Sequence, residues 1–411
     1  MRLKSRTGIK QLALGLFAVS TLVMAAVPAF AQAKGSAPLP KSSYVPNEIL
    51  VMAHKGAVAD ECTSAVREAD GTVVKTITNG RMTAYLVRVP EGKMQQTMTK
   101  LSKNKEHFDA VQANMRLYKN SNDPLFSQQY QLPQMNVPQA WLFKGDAKGV
   151  RIGVIDTGVN GAQADLAGRV DAGANIITGG HGNVDLGSNG FFHGTFVSTC
   201  AAAATNNYTL GASPAYRALI VPADVFNGAS FTSDADLLNA VFYMESRGVR
   251  LINMSINAPV PFTLANQSAH PVLFAGFVDF YNGGGLLFNS AGNDGMFDSS
   301  ARTPYLIVIS AIDSTEALAS FSTYGNPLWF TAAGVNVVSS DVNSKPLIAS
   351  GTSFSCPLAC SVAAQIWGNR PYLTNSQVLQ IMVNTAVQPP SYSATKFGYG
   401  IPNSGAAVLA H

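Results

Sequence analysis

Residues 152–161 read Ile152-Gly-Val-Ile-Asp-Thr-Gly-Val-Asn-Gly161. A short run of β-branched and small apolar residues stops at a carboxylate. Runs of this length, apolar throughout, read as strands buried on both faces. This run belongs to a strand at Val150–Ile155, and others like it follow at Arg217–Val221, Val249–Met254, Gly285–Asn289, Leu306–Ser310 and Leu328–Ala332, with helical runs between them. Strands alternating with helices predict an α/β unit over 123–411, with a mostly parallel sheet between two layers of helices. Such sheets bind ligands at the carboxyl ends of their strands. Asp156 ends its strand and would stand at such an edge.

Upstream, Asn120-Ser-Asn-Asp-Pro124 is a turn-rich break. Before it, 46–119 reads differently. Strands are expected at 47–53, 72–77, 82–89 and 111–118, and helices at 58–69 and 91–104. The order strand-helix-strand-strand-helix-strand is that of a small ferredoxin-like α+β module. Residues 32–45 are small, polar and Pro-containing, and read as a linker. Residues 1–31 have a basic start (Arg2, Lys4, Arg6, Lys10), an apolar middle, and small residues at Ala29 and Ala31. That is the layout of a secretory signal peptide. Cleavage is expected after Ala31, with the bond after Ala33 as second choice. No other segment is long and apolar enough to span a membrane, so the expected product carries no stable membrane anchor and is secreted, extracellular or periplasmic.

Of the 411 residues, 13% are charged. That argues against disorder and against nucleic acid as a partner. The net charge divides unevenly. Residues 34–119 hold 13 Lys+Arg against 8 Asp+Glu, a net +5, while 123–411 hold 11 against 16, a net −5. Opposite signs favour docking of one part on the other. Four cysteines (Cys62, Cys200, Cys356, Cys360) form no C-x-x-C pair, which disfavours a zinc site.

An Asp-Thr-Gly serves two unrelated chemistries. One pairs two carboxylates around a shared proton and needs a second D-[TS]-G, which this long chain lacks. The other uses one aspartate to orient a histidine that activates a serine. Both further pieces are present. Thirty-seven residues after Asp156 comes Phe192-His-Gly-Thr-Phe-Val-Ser-Thr-Cys200, and far downstream Ser350-Gly-Thr-Ser-Phe-Ser-Cys-Pro-Leu-Ala-Cys360. His193 and Ser353 each open a helical run, and Pro357 falls in the first turns of the second. Helix amino ends carry free N–H groups and partial positive charge. Taken singly, Asp156 reads as a strand-end cap, His193 as a helix cap and Ser353 as an N-cap. All three in this order read as a set.

These three stretches resemble the subtilase family of serine peptidases over nearly all of 123–411, in the chain order Asp, His, Ser. The resemblance implies a subtilisin-like fold and a serine endopeptidase in which Ser353 is the nucleophile, His193 the general base and Asp156 its orienting partner. Asn289-Ser-Ala-Gly-Asn-Asp-Gly295 is similar to the family's oxyanion segment, which makes Asn293 the donor. Ser255, Ile256, Asn257 and Ala258, with Ser290, Ala291 and Gly292, would bind an extended peptide. Asn257 and Ala258 stand where relatives usually have two glycines, so the pocket for the residue before the cut should be narrowed, and Asp294 is expected nearby to meet a basic residue. Phe196 stands where a second histidine is usual, Phe354 where Met is, and Ser355 where Ala is.

The chemistry requires no cofactor. Thermitase-like relatives hold a structural calcium near the loop 205–211, which is about two residues shorter here; Asp165 and Asn206, with Asp123, are its expected oxygen ligands. His181 and Asp185 lie in a Gly-rich loop, where a metal is one reading and solvated loop residues the preferred one. Cys200, Cys356 and Cys360 read as buried thiols rather than a bridge. The first module is implied to be a propeptide, with Asn114–Lys119 lying in the active site until cut. Two other readings are set against this one. A catalytically silent protein of the same fold would bind peptides or a partner; a serine esterase would want G-x-S-x-G, which is absent around Ser353.

Overall fold

The computed structural model describes residues 44–115 and 121–410. The expected signal peptide, nearly all of the linker and the segment Arg116–Lys119 lie outside the described residues. The chain divides into two compact units, centred on residues 49–112 and 113–411.

The first unit contains β1 (Tyr44–Ala53), α1 (Ala59–Glu68), β2 (Thr72–Thr78), β3 (Thr83–Arg88), α2 (Met94–Lys103) and β4 (Phe108–Met115). Its sheet runs β2-β3-β1-β4, the split arrangement expected from the element order. A small core of Ile49, Val51, Val66, Val87, Leu101 and Phe108 joins the helices to one sheet face. Edge strand β2 is mostly exposed.

The second unit begins with two short helices, α3 (Gln131–Gln134) and α4 (Val137–Leu142). It continues through β5 (Arg151–Asp156), β6 (Ala174–Asn175), α5 (His193–Ala202), β7 (Leu219–Asp224), α6 (Asp234–Ser246), β8 (Leu251–Met254), α7 (Pro271–Asn282), β9 (Leu286–Ser290), β10 (Phe297–Asp298), β11 (Ile307–Ile312), β12 (Tyr324–Gly325), β13 (Leu328–Ala333), β14 (Val337–Ser340) and β15 (Pro346–Ala349). It closes with α8 (Thr352–Asn369), α9 (Asn375–Thr385), α10 (Ala394–Phe397) and α11 (Ser404–Leu409). Seven strands pair in the order β13-β11-β9-β8-β5-β7-β6, parallel throughout.

Helices cover both faces, which is why β5 can be apolar from Ile152 to Ile155. Ile152 and Val154 join Phe196 and Ala201 of α5 and Val362 and Ala363 of α8 in one core. Ile155 joins Leu237 and Val241 of α6 and Phe277 of α7 in the other. Gly153 also points to α6, where an added Cβ would lie 2.7 Å from the Met244 sulfur. Side chains alternate along a strand, so Asp156 follows Ile152 and Val154 to the α5/α8 side. Small residues make α8 apolar on all sides, and it is buried from Thr352 to Trp367. The antiparallel pair β14–β15 was not legible in the pattern. Among the described residues no helix is long and apolar enough to cross a membrane.

Candidate active site

Asp156 ends β5, and His193 opens α5 on the same side of the sheet. The histidine's Nδ1 lies 2.9 Å from both Asp156 oxygens. Asp156 is 1% exposed and also accepts from the N–H of Thr157 at 2.8 Å. Gly194 permits this approach: a Cβ there would sit 2.1 Å from the Gly158 carbonyl oxygen and 3.1 Å from the Asp156 Cβ. Burial pulls the imidazole pKa down, but the charge and hydrogen bond of Asp156, with the charge of Asp185, outweigh it and hold the pKa above its ordinary value. Donation from Nδ1–H leaves Nε2 as an acceptor.

Ser353 is the second residue of α8, beside Phe354, whose ring centroid lies 5.8 Å from that of His193. Among the described residues no direct hydrogen bond joins the Ser353 hydroxyl to His193; such contacts often tighten only when substrate is bound. Pro357 lacks the N–H that would close the turn on the Ser353 carbonyl. The Ser255 hydroxyl takes that acceptor at 2.8 Å and is itself reached by the Asn253 amide at 3.0 Å. The segment after β8 is thereby pinned to the start of α8.

Asn293 is exposed, and its Oδ1 accepts from the N–H and hydroxyl of Thr352, at 2.9 and 3.0 Å. That fixes which end of the amide is which and leaves the NH₂ to donate elsewhere. The N–H of Ser353 lies in the first helical turn, where no earlier turn supplies an acceptor. Two donors therefore stand on either side of Thr352.

The two expected peptide-binding segments meet. Asn289, which the sequence reading missed, is 4% exposed and donates to the carbonyls of Met254 and Ile256, both at 2.8 Å. Its place at the head of the Asn-Ser-Ala-Gly-Asn motif was the only signal. The Asn257 amide, oriented as its neighbours require, donates to the Ser290 carbonyl at 2.8 Å. Ser255, Ile256, Ser290 and Gly292 are buried, Ala258 and Ala291 half-buried and Asn257 exposed.

Asp185 corrects the sequence reading. It is no solvated loop residue but 6% exposed, and four hydrogen bonds hold it. They come from the Thr157 hydroxyl (2.8 Å), the Gly187 N–H (2.9 Å), and the N–H (2.9 Å) and hydroxyl (2.6 Å) of Thr195. The two phenylalanines that depart from the family pattern also prove to be linked. Phe196 and Phe354 pack edge-to-face at 4.9 Å, beside His193. The four cysteines are free and buried, and burial pushes the Cys200 thiol up to about 12.

The expected calcium ligands are arranged differently. Asp165 Oδ1 accepts from the Asn207 amide at 3.1 Å and Oδ2 from the Gly211 N–H at 3.1 Å. Asp123 accepts from the N–H groups of Asn206 and Asn207 at 2.8 and 3.0 Å. Calcium wants six to eight oxygens turned inward; here each of the four carboxylate oxygens accepts one N–H. Among the described residues no three His, Cys, Asp or Glu side chains gather into a metal-binding group.

Comparison with known proteins adds three findings. The Subtilase family profile matches residues 147–400, and that of the fervidolysin N-terminal prodomain matches 30–113. A thermophilic serine proteinase of Bacillus sp. (strain AK1) is 29% identical over 90% of this chain and 88% of its own length. Thermitase of Thermoactinomyces vulgaris is 30% identical over 59% of this chain and 83% of its own. A solved protease of Pseudoalteromonas arctica shares the fold, with a TM-score of 0.59 at 24% identity, over 71% of this chain and 99% of that one. With a prodomain ahead of a parallel sheet that carries aspartate, histidine and serine at its carboxyl edge, the chain belongs to the subtilase family of serine endopeptidases.

Proposed function

We propose that the protein is an exported serine endopeptidase, made as a zymogen, that cuts peptide bonds with Asp156, His193 and Ser353. The pairing of Asp156 with His193 at 2.9 Å, from the end of β5 to the start of α5, carries this reading. Asp156 fixes the tautomer, so Nε2 takes the proton of Ser353 as its Oγ attacks the scissile carbonyl. The imidazolium that forms is stabilised by the buried carboxylate. The oxyanion receives the Asn293 amide and the Ser353 N–H, and the positive end of α8 lies beneath it. Nε2 then returns its proton to the leaving amine, and water repeats the sequence on the acyl-enzyme. No step requires a metal or cofactor.

Peptide would lie extended between residues 255–258 and 290–292, read mainly through its backbone. Asn257 takes up room where a glycine would leave it, which disfavours large aromatic residues before the cut. A peptide-library profile led by Phe or Tyr would overturn that point. The first unit serves as propeptide and intramolecular inhibitor.

The test is the intact mass of secreted protein, wild type beside Ser353→Ala. Wild type is expected to lose roughly its first 120 residues, at the turn-rich break after the first module, while the variant keeps the propeptide. If both stay full length and a small peptide ester is not hydrolysed, the fold serves binding instead.

A further inference from the structure

Asp185 is a buried carboxylate that the catalytic scheme above does not use. Among the described residues it is met only by neutral donors. These donors belong to the two elements that matter most. Thr157 is the residue after Asp156, and its hydroxyl both donates to Asp185 and accepts the N–H of Gly194 at 2.9 Å. Gly194 is the residue after His193. Thr195 gives Asp185 its N–H and its hydroxyl, and the same hydroxyl accepts the N–H of Asn160 at 2.9 Å. One carboxylate therefore ties the end of β5 to the first turn of α5, one residue from Asp156 and two from His193. It also sits at the amino end of α5, where negative charge is favoured.

We propose that Asp185 is a positioning residue of the reaction: ionised, it clamps the strand end carrying Asp156 to the helix start carrying His193 and adds its charge to the field that stabilises the imidazolium. This deepens the triad reading and rests on it. The charged neighbours are few. His193 faces the clamp from α5 and Asp156 from β5, α8 presents Phe354, and His181 in the same loop is exposed. Asp224, at the end of the adjacent strand β7, couples to Asp156. Burial pushes Asp185 up to about 6, against the pull of its hydrogen bonds from Thr195, Thr157 and Gly187.

Protonation has a structural consequence. Four donors point at two oxygens, so a hydrogen placed among them must displace at least one. The clamp loosens as pH falls through about 6, on the acid side of the raised His193 pKa. Activity in wild type therefore requires two deprotonations on the acid side.

Two measurements test this. The first is independent of activity: the NMR titration of the His193 ring in full-length Ser353→Ala, with and without Asp185→Asn. Losing a nearby negative charge destabilises the imidazolium, so the midpoint should fall by about half a pH unit or more. A residue that only held the loop would leave it unmoved, and an unmoved midpoint overturns the proposal. The second is the pH profile of kcat/KM. The acid limb of wild type should steepen beyond one proton; that of Asp185→Asn should follow one proton, at lower pH, with kcat reduced about tenfold and KM little changed. If Asp185→Asn does not fold, the wild-type limb decides, and a one-proton slope overturns the proposal. A shifted NMR midpoint in a protein whose wild type cuts no peptide would sink the peptidase reading instead and leave the clamp standing.

Discussion

Two places in the second unit bury a pair of aspartates, and they are built for different ends. At the edge of the sheet, Asp156 and Asp185 lie within the reach of one imidazole. At the loop 205–211, Asp123 and Asp165 face amide donors, mostly from one short stretch of chain, together with the Ser121 hydroxyl. Burial pushes both Asp165 and Asp185 up to about 6. A perturbed carboxyl therefore does not by itself mark the catalytic place. What separates the two is the company: an ionisable ring that can carry a proton on one side, N–H and hydroxyl donors that do not titrate on the other.

The widest gap between them should appear in activity. Asp156→Asn keeps the size of the side chain but favours the wrong imidazole tautomer, and kcat should fall by about 10⁴, the scale of such a change in other serine peptidases. Asp165→Asn should leave kcat within about twofold of wild type, since it touches no reacting group. Steady-state kinetics on matured protein reads both, and comparable losses would erase the distinction. Next in size is Asn293→Ala, expected to cost about 10²–10³ in kcat with KM nearly unchanged, a magnitude known from a subtilisin. A loss confined to KM would assign Asn293 to ground-state binding instead.

How much of this was legible in the sequence depends on how local the physics is. Strands β5, β8, β9, β11 and β13 were readable because both faces are buried and the runs are mostly apolar. The starts of α5 and α8 were readable because each combines a polar opening with a small-residue run. Asp185 was not, because its donors Thr157 and Thr195 lie 28 and 10 residues away and nothing in a Gly-rich loop announces them. Asn289 was hidden in the same way, its acceptors being 33 and 35 residues distant. Phe196 and Phe354 were visible as two separate departures from the family pattern, but only the packing of α5 on α8 makes them one.

That pair offers the next test. A ring at each position fills the space beside His193, so Phe196→Leu and Phe354→Leu should not be independent. A double-mutant cycle in thermal or denaturant unfolding should give a coupling of about 0.5–1.5 kcal/mol. Additivity would mean that the two departures were tolerated separately.

Stability against pH distinguishes the buried acids further. The folded-state pKa of Asp165 stands at about 6, above the ordinary carboxyl value of 3.8. Its contribution is therefore fully present below the ordinary value and is lost as pH rises through about 6. Asp165→Asn removes that loss along with hydrogen bonds, so its effect on Tm relative to the parent should be less unfavourable at pH 7 than at pH 4.5. The difference is expected to reach about 2 kcal/mol at most. Melting curves in the Ser353→Ala background, where self-digestion is absent, measure it. An equal effect at both pH values would place the ordinary carboxyl pKa on Asp165.

The smallest expected effect concerns calcium, and it bears on how the loop 205–211 is held. A bound ion would stabilise the folded state by an amount that grows with its concentration over its dissociation constant. The oxygens of Asp123 and Asp165 instead accept from the Asn206, Asn207 and Gly211 N–H groups and the Asn207 amide, and an inward-facing cation would have to displace these donors one by one. Asn206 also holds a left-handed conformation, with φ of 62°. EDTA should therefore leave Tm within about one degree, a shift that corresponds to well under 1 kcal/mol for a unit of this size. Millimolar calcium should not raise it. A fall of several degrees in EDTA, restored by calcium and lost in Asp165→Asn, would mean that the loop turns its carboxylates inward around an ion, and the contrast between the two aspartate pairs would then be one between an imidazole and a metal.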